Sequence, residues 1–309
     1  MRTRNKKIKN IDAILTADWH IRATAPECRL DDFLSAMWRK VEAVFDLAKT
    51  HNCPILIAGD IGHRHQWPNW LIEKFIRLIN RYGATIYAIP GQHDLPQHNL
   101  ALKQKSAYGI LVEGNHIIED IKIIIHLGRK IDSFPFGIGL RHSEKKEPYI
   151  AMTHQMVIEG KPDWPGQQAY SAAGLLKKYP EYKLILSGDN HKAFTVKYKN
   201  RLLVNPGSLT RTTAIQADHK PRVYLWDSNA NEVEAVYLPI DKDAIDKSHI
   251  DGYLAPQQQD KRVSAYVDRL DQSYELSLSF ENNLEAHMQT NNTETSVVGR
   301  VWQAVEKTT

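Results

Sequence analysis

Cysteine is nearly absent from this chain. Cys28 and Cys53 are its only thiols among 309 residues. They lack metal-type spacing and are too few for a disulfide framework, which suits a reducing compartment. Long apolar runs are also missing. None approaches the ~20 residues of a membrane helix, and the mean hydropathy is −0.46, so no membrane association is expected. The basic start (Arg2, Arg4, Lys6, Lys7, Lys9) mimics an export signal, but Asp12 and Asp18 interrupt the apolar stretch behind it. No small-residue cleavage site follows, and the expectation is a cytoplasmic protein. Repeats and low-complexity tracts are lacking. So is charge of one sign: 40 Lys and Arg face 36 Asp and Glu, spread along the chain. The net +4 is only a slight pointer to a polyanionic partner.

What is present is enough apolar content, 42%, for one large α/β domain with a small appendage. Ile11–Ala17, Pro54–Ala58 and Ala84–Ile89 read as buried strands. Helical spacing runs from Leu30 through Phe33, Met37, Val41 and Phe45, and again from Asn69 to a stop at Gly83. Alternation of apolar strands and helices predicts a parallel sheet covered by helices. The second half is richer in strands: Asp120–His126, Pro148–Thr153, Lys183–Ser187, Ala193–Tyr198, Arg201–Val204, Arg222–Asp227 and Glu232–Pro239, with a helix near Gln168–Tyr179. Two sheets face to face with helices outside accommodate this pattern. The expected domain spans residues 1–240, a polar linker 241–262, and an accessory region 263–309. In that last region Phe280–Met288 and Thr293–Glu306 look helical. The second carries a stripe of Val297, Val298, Val301, Trp302 and Val305 suited to docking on the main domain or on a partner.

Ionisable clusters follow successive strands. They are Asp18-Trp19-His20, Gly59-Asp60, Gly91-Gln92-His93-Asp94, His154, and Gly188-Asp189-Asn190-His191. In α/β sheets, ligand sites gather beyond the carboxyl ends of strands. Asp18 and His20, two apart, would point the same way on extended backbone. Asp60 is the candidate bridging carboxylate, with a glycine before it to let the chain turn sharply. Two divalent ions about 3.5–4 Å apart can activate a water and clamp the phosphoryl oxygens of an in-line displacement. A nitrogen and oxygen donor set without thiolate favours Mn²⁺, with Mg²⁺, Fe²⁺ or Zn²⁺ as alternatives. His93 is the candidate general acid, and Asp94 beside it would orient it or raise its pKa.

Each cluster alone has a plainer explanation: a Gly-Asp turn, a hydrogen-bonded core histidine, a chance Asp-x-His. Five in order behind five apolar strands do not. Gly114-Asn115-His116 spells a Gly-Asn-His motif more literally than Gly91-Gln92-His93 does. It follows no strand and lacks the acid after it, so it is set aside.

The pattern resembles the calcineurin-like metallophosphoesterase superfamily, with its Asp-x-His, Gly-Asp, Gly-Asn-His-Asp/Glu, His and Gly-His-x-His motifs. Within it, Ile89-Pro90-Gly91-Gln92-His93-Asp94 and Asn205-Pro206-Gly207-Ser208-Leu209-Thr210-Arg211 resemble the SbcD type of DNA repair and recombination nuclease, the nuclease subunit of Mre–Rad complexes. His63 matches a further active-site histidine of that type. The resemblance covers roughly residues 11–227. It implies an α/β four-layer sandwich of two mixed β-sheets flanked by helices. One metal would be held by Asp18, His20, Asp60 and His191, and the other by Asp60, Gln92, His154 and Asp189. His93 would assist cleavage and His63 would contact the substrate phosphate. Two ligands depart from the motif: Gln92 stands for Asn and Asp189 for His, both on the second metal, whose affinity or choice of ion is therefore expected to be unusual.

The expectation is a Mn²⁺-dependent DNA exo- or endonuclease with a coiled-coil ATPase of the SbcC/Rad type as partner. Homodimerisation is also implied, and the altered ligands suit a bacteriophage version. Two other readings stay open. One is a phosphodiesterase or phosphatase acting on small nucleotides or phosphoproteins; a groove around His63, Trp67 and the Glu159–Gln168 loop favours DNA and a closed pocket favours a small ester. The other is a degenerate, non-catalytic scaffold.

Overall fold

The computed structural model describes residues 10–119, 123–124, 129–143, 149–162, 167–248, 288–289 and 297–298. The chain divides into two compact units, Met1–Lys247 and Ser248–Thr309. Apart from residues 288–289 and 297–298, the expected helices Phe280–Met288 and Thr293–Glu306 lie outside the described residues, as does the linker sequence after Ser248. The first unit carries every candidate site residue.

Two mixed sheets form its centre. In the first, β1 (Ala13–Thr16), β2 (Ile55–Ala58) and β3 (Ile86–Ile89) run parallel. β12 (Arg222–Asp227) and β13 (Glu232–Tyr237) extend it antiparallel beside β1, in the order β13-β12-β1-β2-β3. The second sheet has the order β10-β11-β9-β6-β5-β4. Its strands are β4 (Ile123–Ile124), β5 (Arg129–Phe134), β6 (Ile150–Thr153), β9 (Leu184–Ser187), β10 (Phe194–Tyr198) and β11 (Arg201–Asn205). β5, β6, β9 and β11 are parallel. A small parallel pair, β7 (Val157–Ile158) and β8 (Tyr170–Ser171), lies apart.

Strand alternation sorts the core into layers. Ala13, Leu15, Leu56, Ala58, Tyr87 and Ile89 face the second sheet, where they meet Ile150, Met152, Leu184, Leu186, Leu202 and Val204. The intervening Ile14, Ile55, Ile57, Ile86 and Ala88 face the other way, onto α1 (Phe33–His51), α2 (Asn69–Tyr82) and α3 (Ala107–Glu113). On the far side, Ala151, Ile185 and Leu203 pack on α4 (Ala172–Lys178). Helix, sheet, sheet, helix is the expected four-layer arrangement.

The helix starts and stops have local causes. α1 begins at Phe33 rather than near Leu30 because the Asp32 carboxylate caps it, accepting the Ser35 N–H at 3.1 Å and its hydroxyl at 2.6 Å. Gly83 ends α2 in the left-handed region, as its position predicts. The discarded Gly114-Asn115-His116 stretch is the C-terminal end of α3, with Gly114 as the cap.

Candidate metal centre

The first candidate loop is anchored by the residue between its two candidate ligands. Trp19 is wholly buried, bonds through Nε1–H to the Thr16 hydroxyl at 2.8 Å, and sits edge-on to Phe45 and Phe75. Asp18 and His20 flank it with φ of +51° and +48°. This corrects the extended backbone expected for them. A left-handed turn at each residue lets the indole plunge into the core while both neighbours stay on the rim. The loop is laced to the end of β2: Asp18 N–H donates to Gly59 O (3.0 Å), His20 N–H to Asp60 O (3.0 Å) and Ile21 N–H to Ile61 O (2.8 Å).

Asp60 is also left-handed, at φ +53°, and fully buried. Its Oδ1 accepts the His93 backbone N–H at 2.9 Å. Its Oδ2 faces His154 Nε2 at 3.5 Å, His20 Nε2 at 3.8 Å and His93 Nε2 at 4.0 Å. Across the rim, His20 Nε2 and His191 Nε2 are 3.0 Å apart, and His191 Nε2 lies 3.9 Å from Asp18 Oδ1. Separations of about 3–4 Å suit donors sharing one ion with bonds near 2.1 Å. Among the described residues, donor atoms converge within 4.8 Å in three overlapping sets: Asp18, Asp60 and His154; Asp18, His20 and His191; His20, His63 and His93.

Several of these atoms are buried with no hydrogen-bond partner: Asp18 Oδ2, Asp60 Oδ2, His154 Nε2, His20 Nδ1 and Gln92 Oε1. Bare acceptors in a dry interior are costly unless a cation completes them. His154 makes the point. Its Nδ1–H donates to Ala58 O at 2.6 Å, which leaves the Nε2 lone pair facing a carboxylate oxygen. A proton or a metal must stand between them. Burial disfavours its charge, yet Asp60 and then Asp18 and Asp189 push His154 up to about 10. Burial would raise Asp60, but His154, His20 and His93 hold it below the usual carboxylate range. Asp18 goes the other way, well above that range, through burial and the nearby Asp60 and Asp189. The donor set is all nitrogen and oxygen and fits divalent metal ions.

Two of the residues expected at the second metal pair with each other. Gln92 Nε2 donates to Asp189 Oδ1 at 2.8 Å, so the two substituted residues bind each other and Gln92 turns its bare Oε1 away from that bond. The Asp189 backbone N–H donates to Asp18 Oδ1 at 3.1 Å. Asp189 joins none of the three donor sets, whereas Asp18 stands with Asp60 and His154.

His93 is the more open imidazole, its side chain 39% exposed. Its Nδ1–H donates to His63 O at 3.0 Å and its ring stacks on His63 at 5.6 Å, which fixes the tautomer and aims Nε2 at the centre. The role expected for Asp94 is corrected here. Its buried carboxylate accepts backbone N–H groups of Ile61 (3.2 Å), Gly62 (2.8 Å) and Gly91 (3.0 Å). It clamps two loops together, and the His63 carbonyl orients His93. Burial, then Asp60, pushes Asp94 up to about 7. His63 is held down to about 4 by burial and then by Arg22.

Sequence reasoning missed Gln216. Its Oε1 accepts the Thr212 and Thr213 N–H groups at 2.7 and 3.2 Å, so its Nε2–H faces His191 Nδ1 at 3.2 Å. The only sequence signal is the Thr213–Gln216 spacing of a capped turn.

A family model described as calcineurin-like phosphoesterase matches residues 12–193. Among solved structures, the chain is similar to an archaeal phosphodiesterase at 15% identity, covering 73% of this chain and 99% of that one, with a TM-score of 0.40. It is also similar to a hypothetical protein from Pyrococcus horikoshii OT3 at 15% identity, covering 78% and 92%, with a TM-score of 0.37.

Proposed function

Because the chain belongs to the calcineurin-like phosphoesterase family, we propose that it is a metal-dependent nuclease that hydrolyses DNA phosphodiesters. The observation that carries the chemistry is the set of bare buried donors, Asp18 Oδ2, Asp60 Oδ2, His154 Nε2 and Gln92 Oε1, beside the half-buried His93. The DNA assignment rests on the Ile89–Asp94 and Asn205–Arg211 segments and on His63, which resemble the SbcD type, with the net charge of +4 as minor support.

Asp18, His20, Asp60 and His191 would hold one ion, and Asp60, His154 and Gln92 a second, with Asp18 within reach of both. Mn²⁺ is the preferred metal. When bound, such ions supply Lewis-acid polarisation of the phosphoryl oxygens and make water a stronger nucleophile. The protein's own part is positional and acid–base. The His63 carbonyl holds the His93 Nδ1–H, so a protonated His93 presents its Nε2–H to the departing ester oxygen and stabilises charge there. Asp94 keeps the two loops in register.

From the change in sequence texture, residues 1–240 would be the nuclease domain, 241–262 a linker and 263–309 an accessory region. The partners are a coiled-coil ATPase and a second copy of this chain, in DNA recombination, repair or replication of a bacterium or bacteriophage.

The test is a Mn²⁺ titration of cleavage on end-labelled linear DNA, single- and double-stranded, with Asp60→Ala as control. Mn²⁺-dependent cleavage that the variant lacks is expected. Absence of cleavage at every Mn²⁺ concentration, alongside turnover of a small phosphodiester, would move the assignment to small esters.

A further inference from the structure

Beside the metal centre, on the far side of His63, lies a cavity of about 300 Å³ lined by Ile21, Arg22, Thr24, His63, Arg64 and Trp67, among others. Its size is at the small end of the ~300–1,000 Å³ typical of small-molecule sites, which suits one nucleotide unit. Its walls are unlike those of the centre: two guanidiniums and an indole instead of carboxylates.

Among the described residues neither guanidinium has a carboxylate partner. Arg22 spends one Nη2–H on the Thr24 hydroxyl at 3.3 Å and keeps a buried Nε–H unpaired. Arg64 is exposed, and its backbone carbonyl accepts the Trp67 Nε1–H at 3.0 Å. That bond and the edge contact with Phe75 at 5.8 Å hold the indole in place. A Cβ on Gly62 would come within 2.3 Å of Trp67 Nε1, so glycine there is what lets the ring lie down against the loop. Uncompensated guanidiniums next to a rigid aromatic wall match a phosphate and a base on one short backbone unit. Gly62 and His63 belong to the same loop as Asp60, so the cavity is in register with the reacting phosphate.

Resting on the reading of the centre as a phosphodiesterase, we propose that Arg22, Arg64 and Trp67 form a subsite for the nucleotide next to the scissile bond, with its phosphate on the two guanidiniums and its base against the indole. The substrate class is then a nucleic-acid strand of at least two phosphates, and phosphoproteins and simple phosphate esters lack the group that fills the cavity.

The full-length protein with Mn²⁺ is assayed on fluorescein-labelled hexathymidylate and on bis(p-nitrophenyl) phosphate, in wild type and in Arg22→Gln, Arg64→Gln and Trp67→Leu. Binding of hexathymidylate in Ca²⁺ is followed in parallel by anisotropy across a salt series. The ratio of kcat/KM on the oligonucleotide to that on the small diester should fall at least tenfold in each variant. For the two arginine variants the log–log salt slope of binding should become shallower by about 0.7, the value of one single-strand phosphate contact. An unchanged ratio with an unchanged slope overturns the subsite. Arg64 is exposed and outside the core, so its variant folds and keeps the test decisive. A wild type that turns over only the small diester and does not bind hexathymidylate overturns the subsite but leaves the phosphodiesterase reading standing. A wild type that turns over neither substrate, yet binds hexathymidylate through Arg22 and Arg64, leaves the subsite standing and removes the catalytic reading.

Discussion

Two side chains with awkward partners define the residue scale. Gln216 donates to His191 Nδ1, which leaves the neutral imidazole proton on Nε2, the nitrogen that faces His20. A metal-ligating histidine does best when its other nitrogen donates to an acceptor. Gln216→Glu supplies one, since the Thr212 and Thr213 N–H groups can still donate to a carboxylate. The variant should bind Mn²⁺ about tenfold more tightly by calorimetry; equal or poorer binding would show that His191 contributes little to the ion. Lys40 is the second case. It is buried beside Arg29 and Arg211 and donates to Ala36 O at 3.2 Å. Burial, then those two cations, lowers it to about 8 from a usual 10.5. Between those pH values the unfolded chain binds more protons than the folded one, so this group's contribution to stability rises with pH across the window. Below pH 8 the folded protein bears the full penalty, about 3 kcal/mol. Lys40→Met should therefore be more stable at pH 7, and its advantage over wild type should shrink from pH 8 to 10.5 in denaturant titrations. A constant advantage would place the cause in packing instead.

At the scale of elements, the strand ends are built around glycines that let neighbours approach. A Cβ at Gly91, just after β3, would lie 2.1 Å from Asp60 Oδ1 and 2.5 Å from Asp60 N. Gly91→Ala should cost about 1–3 kcal/mol of stability and weaken Mn²⁺ binding at least tenfold; metal binding at wild-type strength would show that the loops can spread without moving Asp60. Most of the architecture was legible because β1, β2, β3, β6 and β9 are short apolar runs and α1 and α2 have clear helical stripes. β5, read as Arg-Lys-Ile-Asp-Ser-Phe, was not, because polar residues dominate it and only Ile131 and Phe134 are buried along it. The stretch after Gly91 was equally opaque. It is a chain of 3-10 turns from Gln92 to Lys105 leading into α3, held by caps and loop contacts that leave no periodic signal. Which residues would gather at the rim could be read from strand order. How they touch could not: the Gln92–Asp189 bond, the turn of Asp94 toward backbone and the left-handed conformations at Asp18 and His20 all come from tertiary fit.

For the whole molecule, the centre is where the two sheets are joined at their carboxyl ends. His154 after β6 bonds the last carbonyl of β2, and the loops after β9 and β11 bond Asp18. An ion bound there adds to global stability by mass action. At a hundred times its Kd, Mn²⁺ should contribute about 2.7 kcal/mol, or about 5–10 °C in Tm. Calorimetric scans of wild type and Asp60→Ala check this: the shift should vanish in the variant, and an equal shift in both would place the stabilising ion elsewhere. Among the described residues no helix is long and apolar enough to cross a membrane.

The lacing of Asp18 to distant chain also governs when the protein can act at all. Asp18 Oδ1 accepts from Asp189 N–H, and Asp18 O from Leu209 N–H at 3.0 Å. A chain still being synthesised therefore has its first candidate ligands from the outset but cannot set them until residue 209 has left the ribosome and the second sheet has docked. Until then the growing polypeptide lacks the complete set of converging donors. The long-range closure of this site is a built-in delay between being made and having a finished centre.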